Sequence, residues 1–258
     1  MSKKSILLPP FLMSSVPKSG TFFLHQILTG IPGLSSDHVA QKRFFSELYP
    51  FEYYRDDHMK RLKLLKENEF GVGHVNYSKE YSALLADLGF KHIFIYRDPR
   101  DVLVSLAYFI RDKWIEHPLH EDFNHLYLTS RDRILALLTP IEGKWLGFYK
   151  FFQPYYDWLG DKSTFHISYE SLTGSEEEKR RVLGSLAEYL FHPQELPIPK
   201  EELVNRMLQN IRPTEARTFR KGTQGEWRNE FDEEIKAKFK SHAGHMLINL
   251  GYEKDDNW

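Results

Sequence analysis

Short apolar runs alternate with amphipathic stretches along this chain, and each change from one to the other marks a boundary between elements. Phe11 to Val16 is a short apolar run that reads as a buried strand. Behind it, Phe23 and Leu24 recur as Ile27 and Leu28 one turn later, until Gly30 and Pro32 end the helix they predict. Ile93 to Tyr96 is a β-rich apolar run of the kind that fills a central parallel strand, and it stops abruptly at charge. Asp98 suits an N-cap, Pro99 the first helical position and Asp101 the third, so a helix starts there. Thr164 to Ile167 predicts another strand. Glu176 to Phe191 predicts a helix with Val182, Leu183, Leu186, Tyr189 and Leu190 on one face, and Glu233 to Leu250 predicts another that ends at Gly251. Both are expected to cover the sheet. The expected fold class is α/β, a single domain over residues 1–258 with a central parallel β-sheet flanked by α-helices.

The junctions between strand and helix carry the candidate chemistry. Pro17-Lys18-Ser19-Gly20-Thr21 points several backbone N–H groups and one ammonium at a small volume, where the positive end of the helix dipole adds to the field. A phosphate is the natural occupant. The loop departs from the Walker pattern, which sets Gly directly before Lys-Ser/Thr, because here Pro17 precedes Lys18 and the glycine follows as Gly20. Taken alone, the same residues also suit an ordinary turn with Thr21 as the cap.

Arg97-Asp98-Pro99-Arg100-Asp101 forms the second junction. Ser105 lies seven residues beyond Asp98, near two full turns, so its hydroxyl returns to the face that began at the cap and can share an oxyanion with Arg97. The competing reading is a capped surface helix in which Arg97 and Arg100 pair with Asp98 and Asp101. A third segment, Thr218 to Asn229, has no apolar periodicity and reads as a loop. Arg220 and Lys221 followed by Gly222 can bring two cations and a backbone N–H onto an anion, since glycine lets the main chain come close. A solvated basic loop is the alternative.

In this order the three segments resemble the cytosolic sulfotransferase family, whose sulfuryl donor is 3′-phosphoadenosine 5′-phosphosulfate (PAPS) and whose nucleotide product is adenosine 3′,5′-bisphosphate (PAP). The resemblance spans roughly residues 11 to 250. It implies a P-loop NTPase-like sulfotransferase fold. Lys18, Ser19, Gly20 and Thr21, with Phe22 and Phe23, are then the 5′-phosphosulfate loop, Arg97 and Ser105 the 3′-phosphate element, and Arg220, Lys221 and Gly222 the late donor-binding loop. Tyr169 falls near the adenine. The catalytic histidine of the family falls at His74, 23 positions ahead of Arg97. An imidazole suits a general base, with an unperturbed pKa of about 6.5. The resemblance also implies that Lys18 stabilises the departing phosphate and that Ser105 holds Lys18 back until donor binds. The acceptor is expected to be a small-molecule hydroxyl or amine, the product a sulfate ester or a sulfamate. No metal enters the scheme. His117, His120 and His125 with Glu121 and Asp122 fit no standard zinc spacing and read as a solvated loop or helix.

The chain departs from the family pattern at several positions. Phe22 replaces a second threonine, Phe23 a tryptophan that stacks on adenine, and Val72 a lysine two residues before His74. Glu226 and Arg228 are conservative changes in the late loop. The family's Lys-Thr-Val-Glu dimerisation segment is not recognisable after Asn229, so the oligomeric state is open.

Composition narrows the partners further. With 41% hydrophobic and 15% aromatic residues in 258, the chain can bury a substantial core. A formal net charge of −1 gives no global field for nucleic acid or an acidic membrane, so neither is expected as a partner. There is no cysteine, hence no disulfide or thiolate site, and no apolar run approaches a membrane span. Ile6 to Leu8 before Pro9 and Pro10 is too short for a signal peptide, and a cytoplasmic location is expected. Phe45, Tyr49, Phe51, Tyr53, Tyr54, Tyr108, Phe109 and Trp114 are candidate walls of the acceptor pocket. Two alternatives stand beside the transferase. A small-molecule kinase would need Mg²⁺ and an acidic ligand, and a non-catalytic nucleotide-binding module would fit Val72 and Phe22.

Overall fold

A computed structural model describes residues 7–35, 44–47, 54–212, 215 and 221–258. In chain order the elements are β1 (Phe11–Ser15), α1 (Thr21–Thr29), β2 (Phe44–Ser46), α2 (Arg55–Leu62), β3 (Phe70–His74), α3 (Lys79–Asp87), β4 (Lys91–Tyr96) and α4 (Pro99–Asp112). They continue with α5 (His120–His125), α6 (Ser130–Leu138), α7 (Phe148–Tyr156), a 3₁₀ turn (Asp157–Gly160), β5 (Thr164–Ser168), α8 (Tyr169–Thr173), α9 (Glu176–Phe191), α10 (Lys200–Gln209), α11 (Trp227–Glu230) and α12 (Glu233–Asn249). The chain divides into two compact units, one of residues 1–96 and 155–219, the other of 97–154 and 220–258.

The first unit holds a five-stranded sheet in the order β2-β3-β1-β4-β5, and every adjacent pair is parallel. The expected α/β class with a parallel sheet and flanking helices is what the chain forms. β1 is buried at all five positions because a central parallel strand is covered on both faces, which explains its unbroken run. Chain leaves β1 for β2 on one side and β4 for β5 on the other. The carboxyl edge between β1 and β4 is therefore a topological switch point, where open α/β sheets bind ligands.

The two faces of the sheet differ. On one, Phe11, Met13, Phe70, Val72, Ile93, Ile95 and Ile167 pack with Leu24, Ile27 and Leu28 of α1, Leu183, Leu186 and Leu190 of α9, and Leu203, Val204 and Met207 of α10. Val72, the residue that stands in for lysine, is 1% exposed in this core. Phe11 and Phe70, register partners, stack with centroids 4.9 Å apart. On the opposite face Ser14 Oγ lies 2.7 Å from His92 Nε2, and His92 Nδ1 2.9 Å from Thr164 Oγ1. Trp158 packs edge-on against the His92 ring and donates to the Val75 carbonyl at 2.8 Å. Phe45 belongs to this core rather than to a pocket wall: it is fully buried, edge-on to His58, with the Arg61 guanidinium 4.6 Å from its ring centroid. Its backbone runs so close to β3 that a Cβ on Gly73 would sit 1.8 Å from the Phe45 carbonyl oxygen, so only glycine fits. Tyr49, Phe51 and Tyr53 lie outside the described residues.

In the second unit α4 begins as its sequence predicts, with Asp98 as N-cap accepting from the Arg100 N–H and Pro99 in the first turn. α12 belongs here and packs on α6, within a helical layer built on Phe148, Phe152 and Phe239. Arg131 at the start of α6 pairs with Asp232 at 2.6 Å, just ahead of α12.

Candidate active site

The last residue of β1 and the last residue of β3 meet on one face. The strand period of two puts Ser15 beyond Phe11 and Met13, and His74 beyond Phe70 and Val72, so the apolar face ends in two polar side chains at the carboxyl edge. Ser15 Oγ is 2.9 Å from His74 Nδ1 and 2.7 Å from Thr21 Oγ1, and His74 Nδ1 is 3.1 Å from the Ser15 carbonyl. A carbonyl only accepts, so the Nδ1 proton is fixed by it and Nε2 carries the lone pair. The Phe44 ring packs edge-on to the imidazole at 5.6 Å. Burial first, and the Lys18 ammonium last, lower the His74 pKa to about 4 against the weaker pull of the Ser15 carbonyl. His74 is therefore neutral at neutral pH.

The loop between β1 and α1 is not a capped turn. Gly20, the N-cap, sits at φ 93° and provides no side-chain cap, while the Thr21 hydroxyl turns to Ser15 instead. α1 therefore starts without a side-chain cap from its N-cap residue, and a helix N-terminus of this kind is suited to an anion. Lys18 has φ 73°, a left-handed conformation rare outside glycine and asparagine, of the kind that clusters at functional loops. Ser19 Oγ is buried and has no hydrogen-bond partner among the described residues. A Cβ on Gly20 would lie 2.7 Å from the Tyr169 ring, which packs against the loop, and Phe23 meets that ring edge-on at 6.2 Å. Phe22 is half-buried at the start of α1. Lys18, Ser19, Gly20, Thr21, Phe23, His74 and Tyr169 are thus all gathered at one edge of the first unit.

The second unit holds the other candidates. Arg97 donates through Nη2 to the Thr223 carbonyl at 2.6 Å and to Asp101 Oδ2 at 3.2 Å. Arg100 makes a forked pair with Asp98 and stacks 3.9 Å above Trp227. Both ion pairs of the surface-helix reading are therefore formed, but buried, and one of them reaches the late loop. In that loop Lys221 Nζ pairs with buried Glu226 at 2.8 Å and Gly222 takes φ 68°. Arg220 lies outside the described residues. The sequence reads Trp227 to Asn229 as loop, whereas they open the short helix α11, whose entry is held by Asp101. Ser105 is half-buried on α4, and its expected partner Lys18 belongs to the first unit.

The histidine cluster of 117–125 has other work. His117 Nδ1 accepts from the Leu119 N–H at 3.1 Å, His120 Nδ1 lies 2.8 Å from the Ile110 carbonyl, and His125 pairs with Glu121 at an exposed site. Tyr108 donates to Glu230 at 2.7 Å, and Trp114 packs on Phe109 and His117. Sequence reasoning missed Ser15, which lay inside an apolar run. Its one signal was a hydroxyl at the strand position that shares a face with His74.

A family model for the sulfotransferase domain matches residues 8–251. The chain belongs to the sulfotransferase family. This sulfotransferase is similar in fold to mouse sulfotransferase SULT7A1 complexed with PAP, at a TM-score of 0.62 and 18% identity over 93% of this chain and 85% of that one. It is also similar to retinol dehydratase in a complex with retinol and PAP, at a TM-score of 0.56 and 15% identity over 94% and 82% of the two chains. Retinol dehydratase in complex with androsterone and inactive cofactor PAP matches at 0.54 and 15% identity, over 92% and 80%. A search of the curated proteins by sequence returned no match. The family makes the reaction a sulfuryl transfer, so the sulfotransferase is an enzyme, as its motifs predict. Among the described residues no helix is long and apolar enough to cross a membrane.

Proposed function

We propose that the sulfotransferase moves a sulfuryl group from PAPS to the hydroxyl or amine of a small-molecule acceptor, its two units acting as one domain over residues 1–258. The observation that carries the reading is the contact chain His74–Ser15–Thr21, which ties the imidazole to the phosphate-type loop through two hydrogen bonds of 2.9 and 2.7 Å. A base and an anion cradle on one strand edge are what an in-line transfer needs, since it asks for alignment and charge stabilisation more than covalent work.

His74 Nε2 takes the acceptor proton while Nδ1 stays on the Ser15 carbonyl. Lys18 and the N–H groups opening α1 stabilise the phosphate oxygen on which charge builds as the sulfuryl group leaves. The buried Ser19 hydroxyl gains its missing partner from a donor oxygen, because such groups are rarely left unsatisfied. Phe23 and Tyr169 offer two ring faces to the adenine. Arg97, Ser105, Arg220, Lys221 and Gly222 hold the 3′-phosphate. PAP in mouse sulfotransferase SULT7A1 and in retinol dehydratase, and retinol or androsterone in the retinol dehydratase complexes, support a bisphosphorylated nucleotide and a small apolar alcohol. The scheme uses side-chain and backbone donors where a kinase uses Mg²⁺.

The test is a screen of labelled PAPS against a panel of phenols, alkyl and steroid alcohols and amines, with His74→Ala and Lys18→Ala alongside. Transfer by the wild type and its loss in both variants support the reading. Full transfer by both variants overturns the roles.

A further inference from the structure

The carboxylate of Asp101 is 1% exposed and is surrounded by donors from two directions. Its Oδ2 accepts from the Gly225 N–H at 2.7 Å and from Arg97 Nη2 at 3.2 Å, and its Oδ1 accepts from the Trp227 N–H at 3.0 Å. Asp101 stands in the first turn of α4, where the helix dipole favours an anion. Arg97 closes the circuit by donating to Thr223, two residues before Gly225. Between the two amides that Asp101 holds lies Glu226, whose carboxylate fixes Lys221. Gly225, at φ 70°, takes the left-handed conformation that lets the loop make this turn. One buried carboxylate thus sets a guanidinium, five residues of loop backbone and, through Glu226, an ammonium in a single arrangement.

We infer that Asp101 is a positioning residue for donor binding: it pre-assembles Arg97 and the loop around Lys221 and Gly222 before the nucleotide arrives. The inference rests on the proposed 3′-phosphate role of that group. Without the carboxylate, one buried and one half-buried N–H group lose their acceptor and Arg97 loses a counter-charge, so both the loop and the guanidinium are released together. A purely structural aspartate would weaken folding and every ligand alike. A positioning one weakens selectively what Arg97 and the loop recognise.

The experiment measures binding of PAP and of adenosine 5′-phosphate, which lacks the 3′-phosphate, to the full chain and to Asp101→Asn by calorimetry. Amide hydrogen exchange at Gly225 and Trp227 of the wild type without nucleotide is read alongside, and needs no variant to fold. The expected result is protection of both amides in the free enzyme, a loss of about tenfold or more in PAP affinity for Asp101→Asn, and less than about twofold for adenosine 5′-phosphate. Equal losses for the two nucleotides, an unchanged PAP affinity, or rapid exchange at Gly225 and Trp227 would overturn the inference while leaving the donor assignment standing. A wild type that binds both nucleotides equally overturns the donor reading, and this one with it.

Discussion

The imidazole of His74 and the backbone carbonyl of Ser15 are 3.1 Å apart across two adjacent parallel strands, so strand pairing itself sets which ring nitrogen carries the proton. In the proposed scheme, replacing His74 by alanine removes the base but leaves the loop proposed to hold the donor phosphate. The expected outcome is a fall in kcat on the order of 10²- to 10⁴-fold with nucleotide affinity nearly unchanged. Initial rates with labelled PAPS and calorimetry with PAP check the two halves. Ser15→Ala keeps the carbonyl contact and is expected to lose less.

The pH profile reports the same ring. His74 is lowered to about 4 by burial and by Lys18, so in the free enzyme it is unprotonated from neutral pH down through pH 5. As pH falls through about 4 it takes up a proton and ceases to accept one. The acid limb of kcat/KM is expected near 4, rather than near the ordinary imidazole value of about 6.5. A limb at 6.5 would assign the proton transfer to a different, solvated group.

Lys18 carries the charge stabilisation in this scheme. Lys18→Ala is expected to reduce kcat on the order of 10²- to 10³-fold, the scale of losing one preorganised donor to a developing charge. Lys18→Arg restores charge but not the compact ammonium, and is expected to recover only part of it. Dialysis against EDTA is expected to leave transfer unchanged, measured by the same labelled-donor assay. Restoration of a lost rate by added Mg²⁺ would move the stabilising role to a metal.

Gly20→Ala tests the loop from its geometry. The left-handed φ of 93° and the Tyr169 ring at 2.7 Å from a built Cβ both oppose the change, and the loop must shift to relieve them. The expected result is weaker PAP binding with a stability loss of about 1–2 kcal/mol, read by calorimetry and urea unfolding.

Acid should unfold this protein early. His92 is lowered to about 3 and His58 and His117 to about 4, each chiefly by burial. Their folded pKa values lie below the unfolded value, so between roughly pH 6.5 and 4 the unfolded chain binds more protons and stability falls as pH falls. Each ring adds up to about 1.4 kcal/mol per pH unit to that slope. Urea midpoints at pH 7, 6, 5 and 4 follow it. A flat series over that range would mean the rings are not held neutral.

Much of this was legible in the residues. β1, α1, β4, α4, β5 and α9 follow from runs and caps because each satisfies its own periodicity locally, and α9 spans Glu176–Phe191 as predicted. Lys18 and Gly20 stood out as candidates because loop chemistry sits next to strand ends in sequence, whereas His74 was picked out by the family resemblance. Asp101 was not, since its partners Gly225 and Trp227 are more than 120 residues away and nothing local marks a carboxylate that caps a distant loop. Phe45, a candidate pocket wall by sequence, lies in the core for the same reason: Gly71 and Gly73 of β3, distant in sequence, make room for it. α12 buries Ile235, Phe239, Ala243, Met246 and Leu247, but periodicity names a buried face without naming its neighbour.

Adjacent serines on β1 point to opposite faces, Ser14 into the chain of His92 and Thr164, Ser15 to His74. A slip of β1 by one residue would exchange them, sending the hydroxyl that meets His74 to the opposite face and Met13 out of the core it shares with α1. The spacing from Phe11 to Lys18 is therefore intolerant of any single insertion or deletion, because hydrophobic burial and imidazole tautomer are counted off by the same strand.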